Sequence, residues 1–392
     1  MNLASLSASY LRARPLQTLL GIGLLKLGVG TIVAALLISG QLEERMGRDA
    51  RGIDLVVGAK GSPMQLILSG IYQLDAPTGN IPLSFVDSLS KNRMVKRAIP
   101  LALGDSWKGF RIVGAGQAYL ENYDAKLSSG RVYDKSMETV LGHEVAARTG
   151  ARVGSTFTGA HGVGGEGEEH ETAYTVVGTL APTGSVLDRL VLTPIESVWE
   201  VHDHGKKEKD DAPEVTVILV QYASPLAAAS LPRLINSKSE LQAASPAYET
   251  ARLFRIVGVG VEALRAFAAV LVLAAGVSVF IALYTALEER RYDLAVMRTL
   301  GASPGRLFGL LLFEGLLLAA LGALGGLILG HLLAAGLGLW LQAAQQPAVS
   351  GLAFQVEELW VVLGALAVGG VAALLPAWRA YRTDVSRTLA QA

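Results

Sequence analysis

Four long apolar stretches constrain this chain more than any other feature, because a helix needs about 20 mostly apolar residues to cross a bilayer. The stretches cover residues 16–39, 266–287, 307–330 and 359–377. Between the first and the second, residues 40–265 have mixed polarity. The sequence therefore predicts a membrane protein with four transmembrane α-helices and a large domain inserted between the first and second helices.

The distribution of Lys and Arg orients these spans. Basic residues occur in the N-terminal tail (1–15), in the loop between the second and third spans (288–306) and in the C-terminal tail (378–392). Residues 331–358, between the third and fourth spans, contain none. The positive-inside rule predicts that both tails and the 288–306 loop are cytoplasmic. The large domain, and a helix extension and loop over 331–358, then lie outside.

The composition excludes several classes of function. The 34 Lys and Arg are balanced by 34 Asp and Glu, so the chain lacks the basic surplus of a nucleic-acid-binding protein. With no Cys, it cannot form disulfides or Cys-based zinc sites. The sequence contains no G-x-x-x-x-G-K-[ST] motif and no catalytic constellation. We therefore expect that the chain is not an enzyme and that another polypeptide supplies its energy.

The inserted domain is predicted to be α+β. Runs rich in Val, Ile and Leu, bounded by Gly or Pro, predict strands over residues 54–59, 97–103, 110–114, 173–180, 189–192 and 214–222. Periodic segments predict helices over residues 63–74, 84–92, 137–148, 195–202 and 225–238. Helical extensions of the first two spans are expected over residues 41–51 and 248–265.

Two Gly-rich or charged segments, residues 159–171 and 202–214, are predicted to be surface loops. They contain four of the six histidines, which are His161, His170, His202 and His204. Imidazole and carboxylate groups suit Zn²⁺, so these histidines are candidate ligands for low-affinity metal capture or sensing. The alternative is that both loops are solvated and their histidines incidental.

The loop between the second and third spans predicts a short amphipathic helix. Leu294, Met297 and Leu300 recur at a spacing that places them on one helix face, and Gly301 suits a left-handed helix end. Such a helix on the cytoplasmic side either docks onto a partner or only orients the neighbouring spans. Sequence alone leaves both alternatives open.

Two charges lie within the predicted spans, Lys26 in the first and Glu314 in the third. Charged groups inside a bilayer are costly and face protein rather than lipid, so we expect the two to form an ion pair or a shared polar network, within a subunit or across a dimer. Alternatively, Lys26 extends towards the headgroups while Glu314 meets a backbone or hydroxyl group.

Small residues in the third span suit close packing, within one subunit or between two: Gly322, Gly325, Gly326 and Gly330.

Residues 289–301, ERRYDLAVMRTLG, resemble the ERRxEIxxxRxLGA segment of the MacB/FtsX/LolC permease family. The PAWRA run at 376–380 and the tail after it resemble the family's PAxRAARxxPxxAL ending, although Asp384 and Val385 replace the usual Pro. Residues 139–154 and 176–194 resemble the family's external domain. The resemblance covers most of the chain.

The resemblance implies a permease of the bacterial inner membrane with a periplasmic domain. It implies a homodimer, or a heterodimer with a related permease, and a separate cytoplasmic ABC ATPase that hydrolyses ATP; this chain then needs no cofactor, with Zn possible. The ATPase would act through a cytoplasmic coupling helix formed by Glu289, Arg290, Arg291, Leu294, Met297, Arg298, Leu300 and Gly301.

Three functions follow from the resemblance and the histidines. The first is transmission of ATPase motion to a periplasmic domain acting on an envelope substrate, a lipoprotein or an exported compound, with or without an accessory protein. The second is a permease for zinc acquisition that uses the histidine-bearing loops. The third, of another class, is a membrane-anchored metal-binding or sensor module without an ATPase.

Overall fold

The computed structural model describes residues 15–162, 167, 169–202, 213–343, 346 and 348–382. The chain forms two compact units. The membrane unit comprises Met1–Leu42 and Val257–Ala392, and the inserted domain comprises Glu43–Ile256.

Within the described residues, the helices are α1 (Pro15–Asp49), α2 (Pro63–Gly70), α3 (Ser84–Ser90), α4 (Gln117–Asn122), α5 (His143–Thr149), α6 (Ile195–His202), α7 (Leu226–Lys238), α8 (Pro246–Glu289), α9 (Arg291–Thr299), α10 (Pro304–Ala343) and α11 (Glu357–Tyr381). The strands are β1 (Leu55–Ala59), β2 (Ile81–Pro82), β3 (Val95–Trp107), β4 (Phe110–Ala115), β5 (Leu127–Gly130), β6 (Glu138–Leu141), β7 (Thr156–His161), β8 (Glu169–Leu180), β9 (Leu190–Thr193), β10 (Glu214–Val215), β11 (Val217–Tyr222) and β12 (Leu241–Ala244).

Four of these helices, α1, α8, α10 and α11, are long and apolar enough to cross a membrane. Each contains one predicted span and continues beyond it. The extension expected at residues 248–265 is part of α8, and the one expected at 41–51 forms the end of α1, which stops at Asp49. The fold is therefore a four-helix membrane protein with a large inserted α+β domain, as the sequence predicts.

The glycines of α10 pack against α1 within this chain. A Cβ added to Gly326 would lie 2.6 Å from the Cβ of Val29, and one added to Gly330 would lie 2.6 Å from the Cβ of Val33. Gly322 meets Leu25 in the same way, one helical turn earlier. The repeat of four residues on both helices makes them parallel neighbours, so this small-residue stripe is an intrasubunit contact.

The inserted domain is built on one large sheet whose strand order is β12-β1-β11-β3-β4-β9-β6-β8-β5, with β7 paired to both β3 and β8. Side chains alternate across it as period-two strands require. On β11, Val217 and Leu219 pack into one buried cluster, whereas Ile218 and Val220 pack into another. Helices cover both faces, which gives the domain its α+β class.

Two local expectations were wrong. Residues 137–148, predicted as one helix, form β6 followed by α5, because β6 pairs with both β8 and β9 in the sheet. Gly142 separates the two elements at a point where an added Cβ would lie 2.2 Å from the Leu187 carbonyl oxygen. Residues 159–171, predicted as a loop, contribute the end of β7 and the start of β8, because the backbones of these strands pair with each other and β7 also pairs with β3.

Candidate functional site

Four metal-ligand side chains converge in the inserted domain. They are Asp105 on β3, His161 at the end of β7, His170 near the start of β8 and His202, the last residue of α6. One donor atom from each lies within 4.8 Å of the others. The Asp105 carboxylate is 3.4 Å from His161 Nδ1, 3.2 Å from His170 Nε2 and 3.4 Å from His202 Nε2. We call these four residues the histidine cluster.

Strand pairing and a helix end place the histidine cluster. Asp105 and His161 are directly opposite each other in the antiparallel pair of β3 and β7. The pairing of β3 with β4 shifts register between Leu103 and Asp105, and such a bulge re-aims the side chain that follows it. His202 reaches the carboxylate because α6 packs on the sheet through Val198 and other apolar side chains.

The carboxylate of Asp105 is the electrostatic centre of the cluster. Its side chain is 1% exposed, and among the described residues neither carboxylate oxygen has a partner that meets hydrogen-bond geometry. Burial opposes its ionisation, but the neighbouring His202 and His170 imidazoles outweigh burial and hold the Asp105 pKa below its usual value. The same carboxylate raises the pKa of His202.

The structure brings together three of the four predicted ligands, His161, His170 and His202. His204 lies outside the described residues. Asp105 was not among the predicted ligands. The available signal was an acidic residue inside an apolar strand, in the run LALGDSW, which is rare unless the charge has a partner.

The short helix predicted between the second and third spans is α9. Leu294 is buried against the membrane helices, and Met297 packs against the same cluster. Leu300 is 81% exposed, so the predicted apolar face is divided between an inward part and an exposed end. Gly301 has φ of +97°, the left-handed conformation expected at a helix end.

The charged residues around α9 have different surroundings. Glu289 ends α8 and is exposed, and Arg298 lies in the last turn of α9. Arg291 forms an exposed ion pair with Glu288 at 3.2 Å. Exposed pairs of this kind contribute little to stability.

The ion pair predicted between Lys26 and Glu314 is not formed within this chain. Glu314, 2% exposed, pairs with Arg290 at 3.4 Å, where α8 ends and α9 begins. Lys26 instead lies beside Gly325, 3.4 Å from where a Cβ would be. Gly325 is 11 residues beyond Glu314, or about 16 Å along α10. The two charges therefore sit at different depths.

Comparisons with known proteins cover both units. Residues 18–237 match the model of the MacB-like periplasmic core domain, and residues 265–385 match that of the FtsX-like permease C-terminal. Over 128 residues, 33% of this chain, the sequence is 30% identical to the macrolide export ATP-binding/permease protein MacB of Nitrobacter winogradskyi, and the match spans 19% of that protein's length.

Two solved structures are similar to part of the chain. The periplasmic region of MacB from Actinobacillus actinomycetemcomitans has a TM-score of 0.35 and 15% identity, covering 52% of this chain and 95% of its own. The extracellular domain of the noncanonic ABC-type transporter YknZ from Gram-positive bacteria has a TM-score of 0.31 and 14% identity, covering 49% and 98%.

Proposed function

Because this chain belongs to the MacB/FtsX-type family of multi-pass inner-membrane permeases, we propose that it is driven by a separate cytoplasmic ABC ATPase. ATP is hydrolysed by that partner, and this chain transmits the motion to its inserted domain. The proposal places the two tails and α9 in the cytoplasm and the inserted domain in the periplasm, which the distribution of basic residues supports.

The observation that carries the proposal is the way α9 is held. Leu294 fixes one face of α9 among apolar side chains of the membrane helices, and Arg290 joins its start to the buried Glu314 on α10. Leu300 and Tyr292 remain 81% and 52% exposed. A helix that is anchored on one side and exposes large apolar side chains on the other suits contact with a partner that pushes on it.

The substrate and the assembly are part of the proposal. An envelope substrate, a lipoprotein or an exported compound, is what the family resemblance favours, together with a dimer of this chain or of this chain and a related permease. The histidine cluster favours a second candidate function, a permease of a zinc acquisition system. A membrane-anchored sensor without an ATPase is the competing class, and α9 argues against it.

Affinity purification of the detergent-solubilised chain from native membranes tests the ATPase partner. We expect a P-loop ATPase in the purified complex, identified by mass spectrometry, and ATP hydrolysis that depends on it. Leu300→Glu should reduce its recovery, because a charge would enter an apolar contact.

Leu352→Glu is the matched control for this experiment. Leu352 is 95% exposed and lies beyond the other end of α10, so the same change there should leave recovery unaltered. Absence of any P-loop ATPase, or equal recovery with both variants, would reject the proposal.

A further inference from the structure

We infer that Asp105, His161, His170 and His202 form a four-ligand site for a single divalent transition-metal ion of the zinc type, which exchanges with the solvent. The inference goes beyond the proposed coupling to an ATPase and does not depend on it. It rests on the distances between the donor atoms, on buried polar atoms without partners, and on the chemistry of the donors.

The separations within the histidine cluster match one coordination sphere. Zinc binds imidazole nitrogen and carboxylate oxygen at 2.0–2.2 Å, so ligands at the corners of a tetrahedron lie about 3.3 Å apart. The three distances from the Asp105 carboxylate to His161, His170 and His202 are 3.4, 3.2 and 3.4 Å. The first two distances start from one carboxylate oxygen and the third from the other, and one donor atom from each residue lies within 4.8 Å of the others. Small side-chain adjustments would therefore place all four donors around one ion.

The buried atoms of the cluster need a cation. Both carboxylate oxygens of Asp105 and the Nε2 atom of His170 are buried without a hydrogen-bond partner in the part of the chain that the structure describes. The side chains of Asp105 and His170 are 1% and 6% exposed. Leaving a buried polar group unpaired costs about 1–3 kcal/mol, and more when the group is charged. A metal ion would satisfy all three atoms at once.

Hydrogen bonds from protonated histidines to Asp105, without a metal, fit the observed distances less well. An imidazolium hydrogen-bonded to Asp105 would direct an N–H at a carboxylate oxygen, and charge-assisted bonds of this kind are about 2.7–2.9 Å long. The observed separations, 3.2–3.4 Å, are longer.

The donor set selects the class of metal. Three imidazoles and one carboxylate suit zinc and its neighbours in the first transition series, whereas Mg²⁺ and Ca²⁺ prefer oxygen ligands in six- to eight-fold coordination. The backbone elements beneath the donors are strands and a helix end, so the ligands are held close to their binding positions without metal.

Exchange with solvent follows from unequal burial. The side chains of His161 and His202 are 52% and 37% exposed, so the ion approaches and leaves between them while Asp105 and His170 form the floor. A site of this kind captures and releases metal. It differs from a structural zinc site, which is closed on all sides.

The inference is tested by zinc titration of the full-length chain in detergent, after a chelator has removed bound metal. A chromophoric chelator that competes for zinc reports the affinity. We expect one ion per chain. His161→Gln and Asp105→Asn should each weaken binding by at least about 10- to 100-fold, the loss that removal of even an outer-shell partner causes. His143→Gln is the matched control, because His143 is exposed at the start of α5, and it should bind as the wild type does.

Co²⁺ titration gives a second measurement, and its result would not depend on the four residues if they only stabilised the fold. Four-coordinate Co²⁺ absorbs visible light far more strongly than hydrated Co²⁺, and this absorption should appear with the wild type and fall with both ligand variants. Because His161 is exposed, His161→Gln should leave the fold intact, as circular dichroism can verify.

Absence of saturable zinc binding would overturn the inference, as would binding that both ligand variants leave unchanged. A chain that binds no metal but still recovers the ATPase would overturn this inference and leave the proposed function in place. A chain that binds one zinc ion but recovers no ATPase would do the reverse.

Discussion

The contact between α1 and α10 makes a sharp prediction about Gly326. An alanine Cβ there would lie 2.6 Å from the Cβ of Val29 and 3.0 Å from the carbonyl oxygen of Lys26. Both neighbours belong to the body of α1 rather than to the end of a flexible side chain. We therefore expect Gly326→Ala to push the two helices apart.

The size of the effect follows from two opposing contributions. Carbon atoms pack at about 3.5–4.0 Å, so the helices must separate by roughly 1 Å. Overpacking of this kind costs about 1–3 kcal/mol. Replacing Gly by Ala in a helix gains about 1 kcal/mol. Gly336, on the same helix, has no atom of the described residues within 4 Å of its Cβ position, so Gly336→Ala receives only the gain. Because both variants receive the helix gain, they should differ by the overpacking cost alone, about 1–3 kcal/mol.

Thermal unfolding of the detergent-solubilised chain, followed by the loss of helical circular dichroism, measures this difference. A change of 1 kcal/mol shifts the midpoint by about 2–4 °C in chains of 150–250 residues, so several degrees should separate the variants. Equal midpoints for Gly326→Ala and Gly336→Ala would refute the close packing of α10 on α1.

Three further predictions concern buried charges. Glu314→Leu and Arg290→Leu should each destabilise the membrane unit by about 3–5 kcal/mol, because each leaves the partner charge buried; a double variant with the sum of both losses in thermal unfolding would exclude the ion pair. Burial raises the pKa of Asp49 to about 6 from 3.8, so its stabilising contribution is complete below pH 3.8 and is lost as the pH rises through 6. Between pH 7 and pH 5 the free energy of unfolding should gain about 1 kcal/mol, and Asp49→Asn should remove this gain. His331 Nε2 lies 2.9 Å from the fully buried Glu358, so Glu358→Gln should lower the thermal midpoint through a loss of about 1–3 kcal/mol; an unchanged midpoint would contradict the contact.

The histidine cluster could be predicted from the sequence only in part. His161, His170 and His202 were recognisable as candidate ligands because imidazole is a common metal ligand wherever it stands. Their assembly was not recognisable. His161 and His170 lie on strands, although Gly and Glu around them indicated a loop, and pairing of β7 with β3 overrode that local signal. Asp105 gained its place from the same pairing.

The intramembrane charges show the same limit. Counting residues from the start of each span placed Lys26 and Glu314 at similar depths, because that count assumes spans that begin at one level. The register of α1 against α10 is set by the glycines that pack against Val29 and Val33. This register places Lys26 about 16 Å from the level of Glu314 along α10. Glu314 pairs instead with Arg290, which is close to it in space although it is not a neighbour in the sequence.

The sequence by itself determined the four spans, the inserted α+β domain and the helix end at Gly301, because hydropathy, side-chain period and left-handed backbone conformation are properties of a few neighbouring residues. Only the tertiary structure decided that Asp105 joins three histidines, that Leu294 is buried while Leu300 is exposed, and which cation Glu314 meets. Each of these depends on the register between elements far apart in the chain, and that register is fixed by packing over the whole fold rather than by any local pattern.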